Sequence, residues 1–324
     1  MSIVTFGTFF LILFITEILY FKIASRFNII DQPNHRSSHA VLVLRGGGII
    51  FVIAPLLYSF YFGFEYFYFL LGLIAIAFIS FLDDIKPVSN KLRLSVHLIS
   101  VILLFYQMGI LNLPFYWIVL AIILVIGIIN AVNFMDGING ITGAYALITL
   151  CSLLYINIFQ IVFIKSNFLI ISILSLLVFN IFNFRIKAKC FAGDVGSVSI
   201  AFIIMYLVGA LILKTLDFTY FLILLLYGLD TVSTIFFRLM RKENIFDAHR
   251  SHFYQYLANE RKVPHLIVSS SYALVQLLIN AVIIYFLPKS IPAILVVLVF
   301  STIIFIIVRF STEGSRKLFG TKIA

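Results

Sequence analysis

Five short stretches of this chain carry residue types that could do chemistry. Asp83 and Asp84 are adjacent carboxylates just before Lys86 and Pro87. Asn130, Asn133 and Asp136 recur at three-residue spacing ahead of Gly137 and Gly140. Asp194 is flanked by Gly193 and Gly196, and Asp247 leads into the run His249-Arg250-Ser251-His252. Asp31, Asn34, His35, Arg36 and His39 come before Arg45 and the three glycines that follow it. Adjacent carboxylates repel one another and are costly to desolvate, so they persist most easily where a cation shares them. Mg²⁺ is the natural choice, because it prefers a few carboxylates completed by substrate phosphates to an all-protein cage. Arg250 offers the fork that fits phosphate, and His249 and His252 would share a face if their segment were helical. Zinc is poorly matched: there is no His-Glu-x-x-His pattern and no cysteine nearby. The glycine run lacks the Lys-Ser/Thr of a nucleotide-binding P-loop. Each stretch also has a plain structural reading. Asp83 and Asp84 could be a solvated helix end, Asp194 a helix cap, the glycines a turn between helices, and the basic stretches ordinary loops.

The elements that position these residues follow from composition. The 324 residues are 63% hydrophobic and 11% charged, with mean hydropathy +1.15 and 36 phenylalanines. A soluble chain cannot hide that much apolar surface, so the expected fold class is an all-α, polytopic membrane protein. A span needs about 20 apolar residues. Eleven such runs are present, at about 2–21, 47–63, 66–82, 94–110, 114–131, 141–160, 167–184, 197–213, 218–237, 266–286 and 291–308. With the N-terminus outside and the C-terminus cytoplasmic, 20 of the 23 lysines and arginines fall on the cytoplasmic side, leaving Lys165, Lys214 and Lys289 outside. Every chemical stretch then lies on the cytoplasmic face, in segments 22–46, 83–93, 130–140, 185–197 and 238–265 of a single transmembrane domain. The net charge of +10 reads as topology and as affinity for anionic lipids or phosphorylated substrates, not for nucleic acid. The first span, with Glu17 its only charge, has no cleavable-signal pattern. Asp217 is expected to be exposed in an outer loop. Asp230 lies inside a span, where an ionisable group is functional or paired with a neighbouring span; both readings stay open.

Taken together and in order, Asp83-Asp84, the Asn130-to-Gly140 stretch, Gly193-Asp194-Val195-Gly196-Ser197 and His249-Arg250-Ser251-His252 resemble the polyprenyl-phosphate N-acetylhexosamine-1-phosphate transferase family, which is glycosyltransferase family 4. That family includes the phospho-MurNAc-pentapeptide translocase of peptidoglycan synthesis. The resemblance covers nearly the whole chain. His-Arg-Ser-His followed by Phe253-Tyr254, in place of three consecutive histidines, is closer to the branch that starts O-antigen, teichoic acid or related surface glycans. The resemblance implies transfer of a sugar 1-phosphate from a UDP-linked N-acetylhexosamine to undecaprenyl phosphate, giving undecaprenyl-diphosphate-sugar and UMP. GlcNAc, GalNAc, FucNAc and QuiNAc are the candidate sugars. It further implies Mg²⁺ or Mn²⁺, a multi-pass location in the bacterial cytoplasmic membrane with the active site facing the cytoplasm, and a homodimer. On the family's pattern Asp83, Asp84, Asp136, Asp194 and His249 are the catalytic candidates, and the four aspartates are the metal candidates. Asp31, Asn34, Arg36, His39, Arg45, Lys86, Asn130, Asn133, Arg250 and His252 are the substrate-binding candidates. The competing reading from another class is a transporter or lipid flippase, which would place charges along a midplane path instead of at one face.

Overall fold

The computed structural model describes residues 2–31, 42–245, 249–287 and 289–320. The architecture is a bundle of long apolar helices with one very short two-stranded sheet. α1 (Ile3–Arg26) leads into β1 (Ile30–Asp31) and β2 (Val43–Leu44). Next come α2 (Ile50–Phe62), α3 (Phe67–Ile85), α4 (Asn90–Met108), α5 (Phe115–Phe134), α6 (Ile141–Phe159), α7 (Ser166–Asn183) and α8 (Gly193–Thr215). A 3₁₀ segment, Phe218–Leu224, runs into α9 (Leu225–Met240). The chain closes with α10 (Phe253–Asn259), α11 (His265–Tyr285), α12 (Ile291–Glu313) and α13 (Ser315–Phe319).

Ten helices among the described residues are long and apolar enough to cross a membrane. The expected span at 47–63 is shorter than the rest: a 3₁₀ turn at Gly47–Ile49 and then 13 α-helical residues, with Pro55 inside and Gly63 ending it. Thirteen residues rise about 20 Å, against about 30 Å of hydrocarbon. Tyr58 of α2 nevertheless packs on Tyr66 and Phe168, at the bundle end opposite to the one where Gly48 starts. The all-α expectation is also amended by the antiparallel β1–β2 pair, which is extended by a bridge from Leu44 to Cys190.

α8 is the axis of the bundle. Nearly all of it is buried, with α3, α5, α2 and α6 packed around it, whereas α12 lies at the periphery with only Phe305 and Arg309 buried. The 3₁₀ break before α9 frees backbone groups that have no water to bond, and α11 supplies the remedy. Gln276 accepts from the Leu226 amide and donates to the Leu222 carbonyl and to Asn280 Oδ1, while also accepting from Tyr145 Oη. Asp217, expected to be exposed, is buried and caps that 3₁₀ segment through the Thr219 amide.

Candidate active site

The polar side chains gather at one end of the bundle, where α1, α3, α5 and α9 finish and α4, α6, α8 and α11 begin. The strap from Leu44 to Gly48 runs alongside 190–192: Phe191 donates to the Leu44 carbonyl, Gly47 to the Phe191 carbonyl and Gly48 to the Ala192 carbonyl. Gly48 is needed because any Cβ there would lie 2.2 Å from the Gly196 Cα. Tyr20 donates to the Arg45 carbonyl at 2.6 Å, so the strap is pinned from α1 as well. These contacts fix Arg45 above the start of α8.

Arg45 and Arg93 form the cationic half of the site. Arg45 Nε meets Asp84 Oδ1 at 2.7 Å, and its Nη2 lies 3.5 Å from Asp194 Oδ1. Arg93 Nη1 bonds Asp83 Oδ2 at 2.7 Å and lies 3.8 Å from Asp194 Oδ2. Burial works against the Arg45 charge, but Asp84, Asp194, Asp31 and Asp83 outweigh it and hold the guanidinium pKa above its ordinary value. Four carboxylates thus act on Arg45, with one further guanidinium, Arg93, in their midst.

The two adjacent aspartates do different work. Asp84, whose side chain is fully buried, accepts the amides of Asp194 at 2.8 Å and Val195 at 3.0 Å. It is therefore the cap of α8, delivered from another helix. Asp194 is not the cap: it is the second residue of the helix, and its side chain faces the arginines. Gly193, at φ +71°, lets Asp84 in, since a Cβ there would meet Asp84 Oδ2 at 2.5 Å. Asp83 turns the other way, accepting from the Val88 amide at 2.6 Å and from Arg93, with its carboxyl facing that of Asp194. Among the three, Asp194 has the most exposed side chain, 20% against 11% for Asp83 and 0% for Asp84.

The third stretch reaches the same place in part. Asn133, in the last turn of α5, accepts from Ser197 Oγ at 2.6 Å, one helical turn beyond Asp194. The helix ends at Phe134, so Asp136 lies past it and the expected stripe is broken there. Burial pushes the Asp136 carboxyl up to about 6, opposed by a Thr142 hydrogen bond; Asp194 and Asp31 push it further and Arg45 pulls it back. Asn130 does not reach the cluster through any bond of its own; its amide donates back to the Ile126 carbonyl. Lys86 is exposed at the end of α3.

The His-Arg-Ser-His run is not helical. His249 and His252 still stack, with ring centroids 5.0 Å apart, and Phe134 lies against both rings. Burial first, then the charges of His252 and Arg238, lower the His249 pKa to about 4, so the ring is neutral at pH 7. Its Nδ1 accepts from the Ser251 amide, which leaves the proton on Nε2, a donor for an anion. His252 caps α10, its Nδ1 meets Asp230 Oδ1 at 3.3 Å, and its Nε2 is buried without a hydrogen-bond partner in the described residues. Asp230 resolves as a hub: it also accepts from the Phe253 and Tyr254 amides and from Tyr272 Oη. Tyr254 Oη donates to the Phe134 carbonyl, which ties the loop to the edge of the aspartate cluster.

Asn34, Arg36 and His39, and with them Asp247, lie outside the described residues. Arg93 and Ser197 join the candidate site without being expected there, and Asp230, open between function and pairing, is paired with His252, Tyr272 and the start of α10. Arg93 carried a signal, since it lies in the same polar island as Asp83, across the turn between α3 and α4.

No group of three or more His, Cys, Asp or Glu side chains is arranged around a metal position among the described residues. Mg²⁺ needs fewer, because one or two carboxylates plus substrate oxygens suffice. The facing carboxyls of Asp83 and Asp194, both within 4 Å of Arg93 Nη1, are a donor pair of that kind.

Comparison with curated proteins found no match. The model of one family, described as glycosyl transferase family 4, matches residues 66–212. The matched stretch carries Asp83, Asp84, Arg93, Asn133, Asp136 and Asp194.

Proposed function

We propose that the chain transfers N-acetylhexosamine 1-phosphate from a UDP-sugar to undecaprenyl phosphate, releasing UMP and starting a cell-surface glycan at the cytoplasmic face of a bacterial inner membrane. UDP-GlcNAc is the first donor to test, with the GalNAc, FucNAc and QuiNAc analogues behind it. The observation that carries this reading is the pair Arg45 and Arg93 set over Asp194 at one end of a bundle of apolar helices long enough to cross a membrane. A long isoprenoid can remain in the bilayer there while its phosphate and a water-borne nucleotide meet at the interface.

Both substrates are anions, so their approach is opposed until cations screen them. Arg45 and Arg93 supply guanidinium donors whose charge the surrounding aspartates already balance, so the net screening charge must come from a bound cation, and neutral His249 supplies an Nε2–H donor that costs no extra charge. A phosphate oxygen of the lipid attacks the phosphorus that carries the sugar. The new P–O bond forms as the bond from that phosphorus to the bridging oxygen breaks, and the bridging oxygen leaves with UMP. A lipid phosphate is already ionised near neutral pH, so the step needs little help from a base. Asp83, held by Arg93 and the Val88 amide, serves as an electrostatic organiser. Asp84, spent on the start of α8, holds Asp194 in place. Asp194, with Asp83 or Asp136, would hold Mg²⁺, which when bound neutralises the diphosphate and the charge that develops on it. A homodimer remains part of the proposal.

The test is UMP release by purified protein in detergent from a panel of UDP-sugars, with and without undecaprenyl phosphate and Mg²⁺. Release that needs lipid and metal and occurs with one donor supports the reading. Well-folded protein that releases no UMP from any of the four donors sinks it.

A further inference from the structure

The only buried residues of α12 are Phe305 and Arg309. Phe305 packs on the start of α10 and Arg309 reaches the histidine loop before it. The Phe305 ring meets the Phe253 ring edge-on at 5.6 Å. Arg309, 1% exposed, uses every N–H it has. Its Nε donates to Glu313 Oε1 at 2.5 Å, and Nη1 donates to Ser233 Oγ and Thr234 Oγ1, both at 2.9 Å. Its Nη2 donates to the Ser251 carbonyl at 3.0 Å and to Glu313 Oε2 at 3.2 Å. An arginine this deeply buried is tolerated only when its hydrogen bonds and charge are met, and such residues in membrane segments mark function by default. Thr234 continues the contact inward, donating to Asp230 Oδ1, which receives His252. From the other side Arg241 bonds Ser251 Oγ and the Leu318 carbonyl of α13.

We propose that Arg309 is a positioning residue: it clamps Ser251 between α9 and the C-terminal segment and thereby fixes where His249 and His252 point. The proposal rests on the reading of this loop as the site of the donor's phosphates. The geometry of the clamp favours it over a merely structural role, because the guanidinium bonds the backbone of the loop itself, between the two histidines. A lysine would keep the charge but lose the fork that reaches α9, Ser251 and Glu313 together.

The experiment measures UDP binding by calorimetry on the full chain in detergent, for Arg309→Lys, Arg309→Ala and His252→Gln, beside thermal unfolding and the KM for undecaprenyl phosphate. Arg309→Lys is expected to weaken UDP binding roughly ten-fold or more, with the lipid KM unchanged. Added guanidinium should restore UDP binding to Arg309→Ala. If His252→Gln weakens UDP binding and folded Arg309→Lys does not, the clamp is wrong and the loop assignment survives. If neither variant changes UDP binding, the loop assignment has failed and the clamp falls with it. Should the Arg309 variants unfold, Glu313→Gln leaves the guanidinium in place but loosens its hold; a smaller loss of UDP affinity supports the clamp and no loss overturns it.

Discussion

Replacing Asp84 by asparagine separates the two jobs that the carboxylate cluster performs. The native side chain accepts two backbone amides of α8 and pairs with Arg45 Nε at 2.7 Å while fully buried. Asparagine keeps one acceptor oxygen, but its NH₂ then faces an amide or a guanidinium that also needs an acceptor. Removing one partner of a buried charge pair costs about 3–5 kcal/mol, and loss of a helix cap alone costs about 0.5–2 kcal/mol. Asp84→Asn should therefore lower the unfolding temperature by at least about 5 °C and cut UMP release about 100-fold, because Asp194 loses its anchor. Asp194→Asn is the control. Among the described residues its side chain makes two long ion pairs, 3.5 and 3.8 Å, and faces the like-charged Asp83 carboxyl, so stability should change by no more than about 1 kcal/mol while UMP release is lost. The measurements are thermal unfolding in detergent and UMP release from the same preparations. An Asp84→Asn protein as stable as wild type would refute the cross-helix cap, and Asp194→Asn with near-normal transfer would refute its place at the reacting phosphates.

Four further outcomes follow. The Asp136 carboxyl is raised to about 6, so its contribution to stability is full below about 4 and is lost as pH rises towards 6; the gap corresponds to about 3 kcal/mol. Asp136→Asn should accordingly raise the unfolding temperature at pH 7.5 and leave it unchanged at about pH 4, and a flat difference across that range would show that Asp136 does not titrate as described. Transfer itself should rise with pH through about 6, with a midpoint that moves down as Mg²⁺ is increased, since metal and proton compete for carboxylates; a midpoint indifferent to Mg²⁺ would separate Asp136 from the metal. Gln276→Leu removes four buried hydrogen bonds and should cost about 2–4 kcal/mol at membrane-interior values, read as a lower unfolding temperature with normal turnover in the fraction that stays folded. Gly48→Ala forces the strap off α8 and should cost about 1–3 kcal/mol, with a drop in UMP release because Arg45 moves; unchanged release would mean that the strap does not position Arg45.

Much of the fold was legible because it rests on hydropathy, which is local. The helix runs emerged to within a few residues. Two exceptions are α2, where Pro55 and the glycines at each end leave a helix shorter than its apolar run, and the run expected from 218, which opens as a 3₁₀ segment before α9. The gathering of Arg45, Asp83, Asp84, Asn133 and Asp194 into one candidate site was legible for the same reason: polar residues in so apolar a chain have few places to be. Roles were not. Whether Asp194 caps its own helix depends on a competitor 110 residues earlier in the chain, and Asp84 wins because Gly193 leaves room for it. Asp230 could not be assigned from its span alone, since its partners come from α10 and α11. The pairing of His249 and His252 survived although the helix imagined for them did not, because stacking needs only proximity of the rings.

The 3₁₀ break before α9 bears on how the protein is made. When residues 218–240 enter the bilayer, the Leu222 carbonyl and the Leu226 amide lack the partner that Gln276, about fifty residues further along, will provide. This segment is therefore stable in lipid only once α11 has been synthesised and docked. Insertion of the C-terminal third is a joint event, and a chain truncated before α11 should be left in the hands of the insertion machinery or quality-control proteases.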